Sequence, residues 1–177
     1  MAIEEMHKNK YKTIIFDLDG TLIDSSKGII AAICEVLNKY NLSLANANDY
    51  YQFIGPPLIS QILRVFDISI TQAEIINAEI INMYETKYIP DFVVYDGIVP
   101  MLKNIYNNNI ELMLATYKPQ KQTQSIIQMM GVDYIFSYLS CGLENSTYSK
   151  AVLVADALNH SNSKIFESVY VGDTRGE

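Results

Sequence analysis

The chain has no tryptophan, two cysteines, two histidines and five prolines in 177 residues. Cys34 and Cys141 cannot build a disulfide framework and lack the paired spacing of a zinc site, so a reducing compartment is the simpler expectation. His7 and His160 stand in polar surroundings with no second ligand nearby in the sequence, and neither is a catalytic candidate. No run approaches the roughly 18 apolar residues of a membrane span, and the longest, Gly28 to Leu37, is interrupted by Glu35. The leader Met1 to Lys10 is polar and lacks an apolar core, so no secretory signal is expected and the cytoplasm is the default location. Basic residues are also scarce: thirteen Lys and Arg face twenty Asp and Glu, a net charge of -7. That field repels a nucleic-acid polymer unless a local patch overrides it.

What is present is an ordinary globular composition, 49% hydrophobic and 19% charged, which fits neither a disordered chain nor a coiled coil. The length suits one domain, or one domain with a sizeable insertion. Thr13 to Phe16 is a short apolar run ending at Asp17, the pattern of a strand buried on both faces. Similar runs cover Ile110 to Ala115 before Thr116, Tyr134 to Leu139 before Ser140, and Ser168 to Val171 before Gly172 and Asp173. Helical patterns lie between them at Val99 to Tyr106, Gln120 to Met130, and Lys150 to Leu158 behind Ser149. Strands alternating with helices at these lengths predict an α/β fold with a Rossmann-like parallel sheet. Ligands of such sheets sit beyond the carboxyl ends of the strands, where the polar residues just named must gather.

The stretch from Asp24 to about Asp91 breaks the rhythm and predicts an inserted helical cap, leaving residues 1–23 and 92–177 as the α/β core and 24–91 as the cap. Ser25 or Ser26 is placed to cap a helix carrying Ile29, Ile33, Val36, Leu37 and Tyr40. Thr71 and Glu74 have capping-box spacing ahead of a second, and Gly55, Pro56 and Pro57 precede a third at Leu58 to Phe66. Gly55, Pro56 and Pro57 are either a substrate-specificity loop or a plain interhelical turn. Arg64 and Lys87 suit solvated helix faces, with a substrate carboxylate or second phosphate as the alternative.

The strongest motif is Asp17-Leu18-Asp19-Gly20-Thr21-Leu22 behind a buried strand. Carboxylates two residues apart in an extended turn point to one side, and Gly20 permits the tight backbone that follows. Like charges so close call for a cation, and paired hard oxygens on an open loop suit Mg²⁺. A turn that merely caps the next helix is the plain alternative. Lys150, in the first turn of a predicted helix, is placed to meet an anion, or else is a surface lysine. Thr116 at a strand end either binds a ligand oxygen or caps the next helix.

With these motifs in this order, nearly the whole chain resembles the haloacid dehalogenase superfamily of phosphotransferases, and its cap region the phosphoglycolate phosphatase and nucleotidase branch. The resemblance implies Asp17 as nucleophile, Asp19 as general acid/base, Thr116 and Lys150 as phosphate-binding groups, and Mg²⁺ held by Asp17, the main-chain carbonyl of Asp19, and Asp173. It implies a phosphatase that hydrolyses a small phosphorylated metabolite through an aspartyl phosphate. The alternatives are a sugar-phosphate mutase or pyrophosphatase of the same superfamily, and an inactive or phosphoacceptor binding domain. Tyr117 departs from the Asn common at its position, and Glu177 stands where a second Asp is usual. The resemblance further implies about 30 to 35 more residues of core after Asp173, by average element lengths.

Overall fold

The computed structural model describes residues 10–54, 58–142 and 149–173. The chain divides into two compact units, one drawing on the chain up to Ile23 and from Val94 onward, the other formed by Asp24–Val93. In the first unit, β1 (Thr13–Phe16), β4 (Glu111–Pro119), β5 (Phe136–Gly142) and β6 (Ser168–Val171) form a parallel sheet in the order β5-β4-β1-β6. Its helices are α4 (Ile98–Asn107), α5 (Gln120–Met129) and α6 (Lys150–His160). The fold is therefore α/β with a parallel sheet.

Register follows from burial. Ile15 of β1 lies opposite Met113 of β4 and Tyr170 of β6, and Ile15, Met113 and Ala115 pack against Leu153 and Ala157 of α6. Alternation along β4 turns Leu112 and Leu114, both fully buried, to the opposite face. With apolar groups on both faces, the central strands read as continuous hydrophobic runs, and all their carboxyl ends point the same way. At the amino-terminal edge the sheet is tied by a polar cluster. The buried Thr13 hydroxyl donates to Glu111 Oε2 at 2.8 Å and lies 2.9 Å and 2.8 Å from the hydroxyls of Ser161 and Ser163. Ser161 also donates to Glu111 Oε2, at 2.7 Å.

The second unit comprises α1 (Ser26–Lys39), a 3₁₀ turn (Ala47–Phe53), α2 (Leu58–Val65), α3 (Ile70–Met83) and a π-helical turn (Tyr84–Tyr88) around Ile33, Leu37, Phe53, Ile62, Ile76 and Ile80. The two chain crossings, β2 (Ile23–Asp24) and β3 (Val93–Val94), pair as a two-stranded ribbon. Two ionic clips fasten this unit. Lys39 meets Glu79 at 2.6 Å, with the Tyr40 hydroxyl donating to the same carboxylate at 2.8 Å. Lys87 meets Glu35 at 2.6 Å, again with a tyrosine, Tyr88, as second donor. Lys87 is thus engaged within its own unit, and Arg64 donates to Gln52 Oε1 at 2.9 Å.

Several local expectations need correction. Helix α3 begins at Ile70, and its cap is the Ser69 hydroxyl, which accepts from the Gln72 N–H at 3.2 Å, instead of a Thr71–Glu74 box. Neither Ser25 nor Ser26 caps α1 through its side chain; the Asp24 carboxylate takes the Ser26 N–H at 2.9 Å. Strand β4 runs on to Pro119, and β5 starts at Phe136 because Asp133–Ile135 is a 3₁₀ turn.

Two predictions follow from these contacts. Thr13→Val keeps the shape but removes one of the donors to Glu111 Oε2 and the hydroxyl contacts of Ser161 and Ser163, so a loss of about 0.5–1.5 kcal/mol is expected, read from the midpoint of urea unfolding. For the clips, Lys87 and then Tyr88 hold the Glu35 carboxyl below its ordinary value of 4.5, Lys39 and then Tyr40 do the same for Glu79, and the two lysines are raised above 10.5. A lowered carboxyl stabilises the fold above the unfolded value and loses that contribution as pH falls through the folded one. A raised lysine does so below its unfolded value and loses it as pH rises. The clips therefore act between about 4.5 and 10.5. The melting temperature of a Glu35→Gln, Glu79→Gln double variant is expected to fall below wild type at neutral pH and low salt, and the two to converge as pH falls through the lowered carboxyl values.

Candidate active site

Asp17 follows β1 directly, and its N–H donates to the Val171 carbonyl at 2.8 Å, extending the β1–β6 ladder by one step. The chain then folds back on itself. The N–H groups of Leu22 and Ile23 bond the Leu18 carbonyl, and the Gly20 N–H bonds that of Ile23 at 2.8 Å. Gly20 has φ +76°, and a side-chain carbon there would stand 2.5 Å from Asp173 Oδ2. This position needs glycine twice over: for its backbone angle and for the carboxylate that fills the space. Asp173, 156 residues further along the chain by number, is thereby brought against the first motif.

Asp17 is 6% exposed. Its Oδ1 accepts from the Leu18 N–H at 2.8 Å, and its Oδ2 accepts from Lys150 Nζ at 2.7 Å and from the Tyr170 hydroxyl at 3.4 Å. Lys150 opens α6 and is itself buried, with Nζ also 3.3 Å from the Ala115 carbonyl. Burial, and then the Asp17 charge, push the Tyr170 phenol well above its usual range, so it stays a neutral donor. Asp19 is met by a different cation, Lys118, whose Nζ lies 3.2 Å from Asp19 Oδ2.

The sequence motifs alone do not reveal the role of Lys118. Its place depends on the pairing of β4 with β5, where Thr116 lies opposite Cys141 and Pro119 opposite Gly142, so Tyr117 and Lys118 have no partners across the ladder. This bulge turns Lys118 inward, 7% exposed, and leaves Tyr117 50% exposed with its ring over Lys150 Nζ, 4.5 Å from the centroid. Thr116 is buried at the strand end, its Oγ1 accepting from the Lys118 N–H at 3.2 Å within the same turn. Helix α5 starts only at Gln120, behind Pro119, so Thr116 is not its cap. Of the positions singled out in the sequence, Asp17 and Lys150 are in direct contact, Asp173 lies against the Asp19–Gly20 turn, and Thr116 adjoins the Ala115 carbonyl that Lys150 reaches. Gly55, Pro56, Pro57 and Glu177 lie outside the described residues.

Asp17 and Asp19 each meet an ammonium group, and a third carboxylate, Asp173, stands against Gly20. Among the described residues, no set of three or more Asp, Glu, His or Cys side chains forms a ready metal cage. The oxygens that could serve a cation at this turn are the carboxylates of Asp17 and Asp173 and the main-chain carbonyl of Asp19. All are hard oxygens, and the seating of Asp173 against Gly20 brings the second carboxylate to the first motif. These residues fit a hard divalent cation that keeps several waters, as Mg²⁺ does.

Residues 14–176 match the family model described as haloacid dehalogenase-like hydrolase. The tyrosine-protein kinase PtkA of Mycobacterium tuberculosis is 28% identical over 161 residues, which are 90% of this chain and 55% of the kinase. The chain thus spans about half the length of that relative. The phosphoglycolate phosphatase of Pseudomonas fluorescens is 24% identical over 185 residues, covering 99% of this chain and 68% of its own length. In three dimensions, a haloacid dehalogenase-like family hydrolase of Streptococcus pneumoniae superimposes with TM-score 0.82 at 24% identity, over 94% of this chain and 77% of that one. That likeness confirms the parallel α/β fold. With the model match running almost end to end, the chain belongs to the haloacid dehalogenase-like hydrolase family.

Proposed function

We propose that the protein is a phosphatase that hydrolyses a small phosphomonoester through an aspartyl phosphate on Asp17, with Mg²⁺ as cofactor. The observation that carries this reading is the buried contact of 2.7 Å between Lys150 Nζ and Asp17 Oδ2, with both side chains about nine-tenths removed from solvent. A carboxylate approaching a phosphate dianion meets repulsion, so the attack needs cations and hydrogen-bond donors on the phosphoryl oxygens. Lys150 supplies one such charge at the nucleophile itself. The Thr116 hydroxyl at the end of β4 supplies a neutral donor for a phosphoryl oxygen.

Asp17 attacks phosphorus as the ester oxygen departs, and Asp19 gives that oxygen its proton. Asp19 then takes a proton from the water that attacks the aspartyl phosphate, which releases inorganic phosphate, frees the Asp17 carboxylate and returns Asp19 to its protonated form. Lys118, in contact with Asp19, orients the carboxyl that must work in both directions. Asp17, the Asp19 carbonyl and Asp173 would hold Mg²⁺, whose chemistry here is to neutralise charge on the transferring group. A divalent cation there adds two positive charges to those of the two lysines. A net-acidic chain can thereby receive an anion. The phosphoglycolate phosphatase relative makes a small carboxylated phosphomonoester the first substrate to test.

Phosphate release from a panel of phosphomonoesters is expected to require added Mg²⁺ and to stop with chelator. Asp17→Asn, whose amide cannot attack, should lower turnover by about a thousandfold or more, and Lys150→Met should lower kcat by about a hundredfold to a thousandfold. Asp19→Asn should slow alkyl phosphates, whose leaving groups need a proton, much more than 4-nitrophenyl phosphate, whose leaving group does not. Undiminished turnover in Asp17→Asn would falsify the assignment of the nucleophile.

A further inference from the structure

We infer that Tyr117 is a specificity-determining residue whose ring forms an aromatic wall of the phosphate site, selecting esters that carry a flat, unsaturated ring one carbon from the bridging oxygen. The inference rests on the phosphatase reading above and adds the chemical class of the leaving group. Four observations place the ring. The bulge between Thr116 and Pro119 frees Tyr117 from the β4–β5 ladder, so the strand does not dictate its direction. Gly142 of β5 runs so close that a side-chain carbon there would stand 2.1 Å from the Tyr117 carbonyl oxygen, which fixes the backbone of the bulge from the other side. The ring lies over Lys150 Nζ at 4.5 Å, the same ammonium that touches Asp17 Oδ2 at 2.7 Å. It nevertheless remains 50% exposed, while its neighbour Lys118 is 7% exposed.

These positions make the ring more than a surface tyrosine. Lys150 is held below by the Asp17 carboxylate and the Ala115 carbonyl and is covered on a further side by the π-face, which attracts the cation. A phosphoryl group that bonds to this ammonium sits beside the ring, and the group esterified to it comes within reach of the ring's exposed area. An aromatic group there gains an offset-stacked or edge-to-face contact that a saturated ring of the same size does not.

The test compares benzyl phosphate with cyclohexylmethyl phosphate. Both leave as primary alkoxides of equal carbon count, so they differ mainly in the flatness and π-character of the ring. Wild type and Tyr117→Phe are expected to prefer the benzyl ester in kcat/KM by about threefold to tenfold, the range of an aromatic pair contact. Tyr117→Leu is expected to bring the ratio close to one. Calorimetric binding of benzylphosphonate and cyclohexylmethylphosphonate, which cannot be hydrolysed, should give the same order of preference and the same loss in Tyr117→Leu. Equal treatment of the two rings by wild type, a preference that survives Tyr117→Leu, or binding of neither phosphonate overturns the inference, even if other phosphomonoesters are hydrolysed. A Tyr117-dependent phosphonate preference with no Asp17-dependent phosphate release upholds the aromatic wall and defeats the phosphatase reading instead.

Discussion

The site depends on one buried ion pair, Lys150 with Asp17, between residues 133 positions apart. Taking a carboxylate and an ammonium group out of water costs several kcal/mol each, and their attraction offsets that only when the geometry is good and the remaining polar atoms are satisfied. Here Asp17 Oδ1 has the Leu18 N–H, and Lys150 has the Ala115 carbonyl and the Tyr117 ring as further partners. The pair thus joins the end of β1, the end of β4 and the first turn of α6. Removing either partner would strand the other as a buried charge.

The second carboxylate is treated differently. Asp19 is partly exposed and meets Lys118, which is delivered by an irregularity in β4 and not by a helix. A carboxyl that must first lose a proton and then regain one benefits from contact with solvent. A nucleophile benefits from a dry environment, where charge interactions are stronger. The two aspartates lie two residues apart yet receive different solvation and different lysines, a division that suits the different roles proposed for them.

How much of this was legible in the sequence depends on the range of the interactions involved. The apolar run Thr13–Phe16, stopped by Asp17, announced both β1 and the buried place of Asp17 at its end, because a doubly buried strand leaves a clear signature at its polar end. The first turn of α6 was equally plain, and with it Lys150. Less plain was β5, where Tyr134 continues the apolar run but stands 59% exposed in a 3₁₀ turn. Strand β4 was read as stopping at Ala115 because polar residues follow, whereas pairing with β5 carries it on to Pro119. The bulge, and with it the functions argued for Lys118 and Tyr117, depends on register between two strands and on the close approach of Gly142. No local pattern encodes those. Capping erred for a related reason: Ser69, Thr71 and Asp24 all have oxygens suited to the role, and only the exact start of each helix selects among them.

The placement of Lys150 also requires α6 to be held along its length, since an ammonium group at the end of a tilting helix would not stay 2.7 Å from its partner. Leu153 and Ala157 anchor the apolar face of the helix on Ile15, Met113 and Ala115. Apolar packing resists separation but only weakly resists sliding. Asp156, halfway along α6, supplies the missing direction. Its carboxylate accepts from Ser140 Oγ at 2.6 Å and from the Tyr138 hydroxyl at 3.1 Å, both on β5. Near the far end, the His160 ring stacks on Tyr138 with centroids 3.9 Å apart. Directional bonds to β5 at mid-helix and a flat stack at its close fix the helix along its axis, so the same strand that sets the bulge on one side sets the reach of Lys150 on the other. The two lysines of the site are thereby referred to one element, β5, although neither belongs to it.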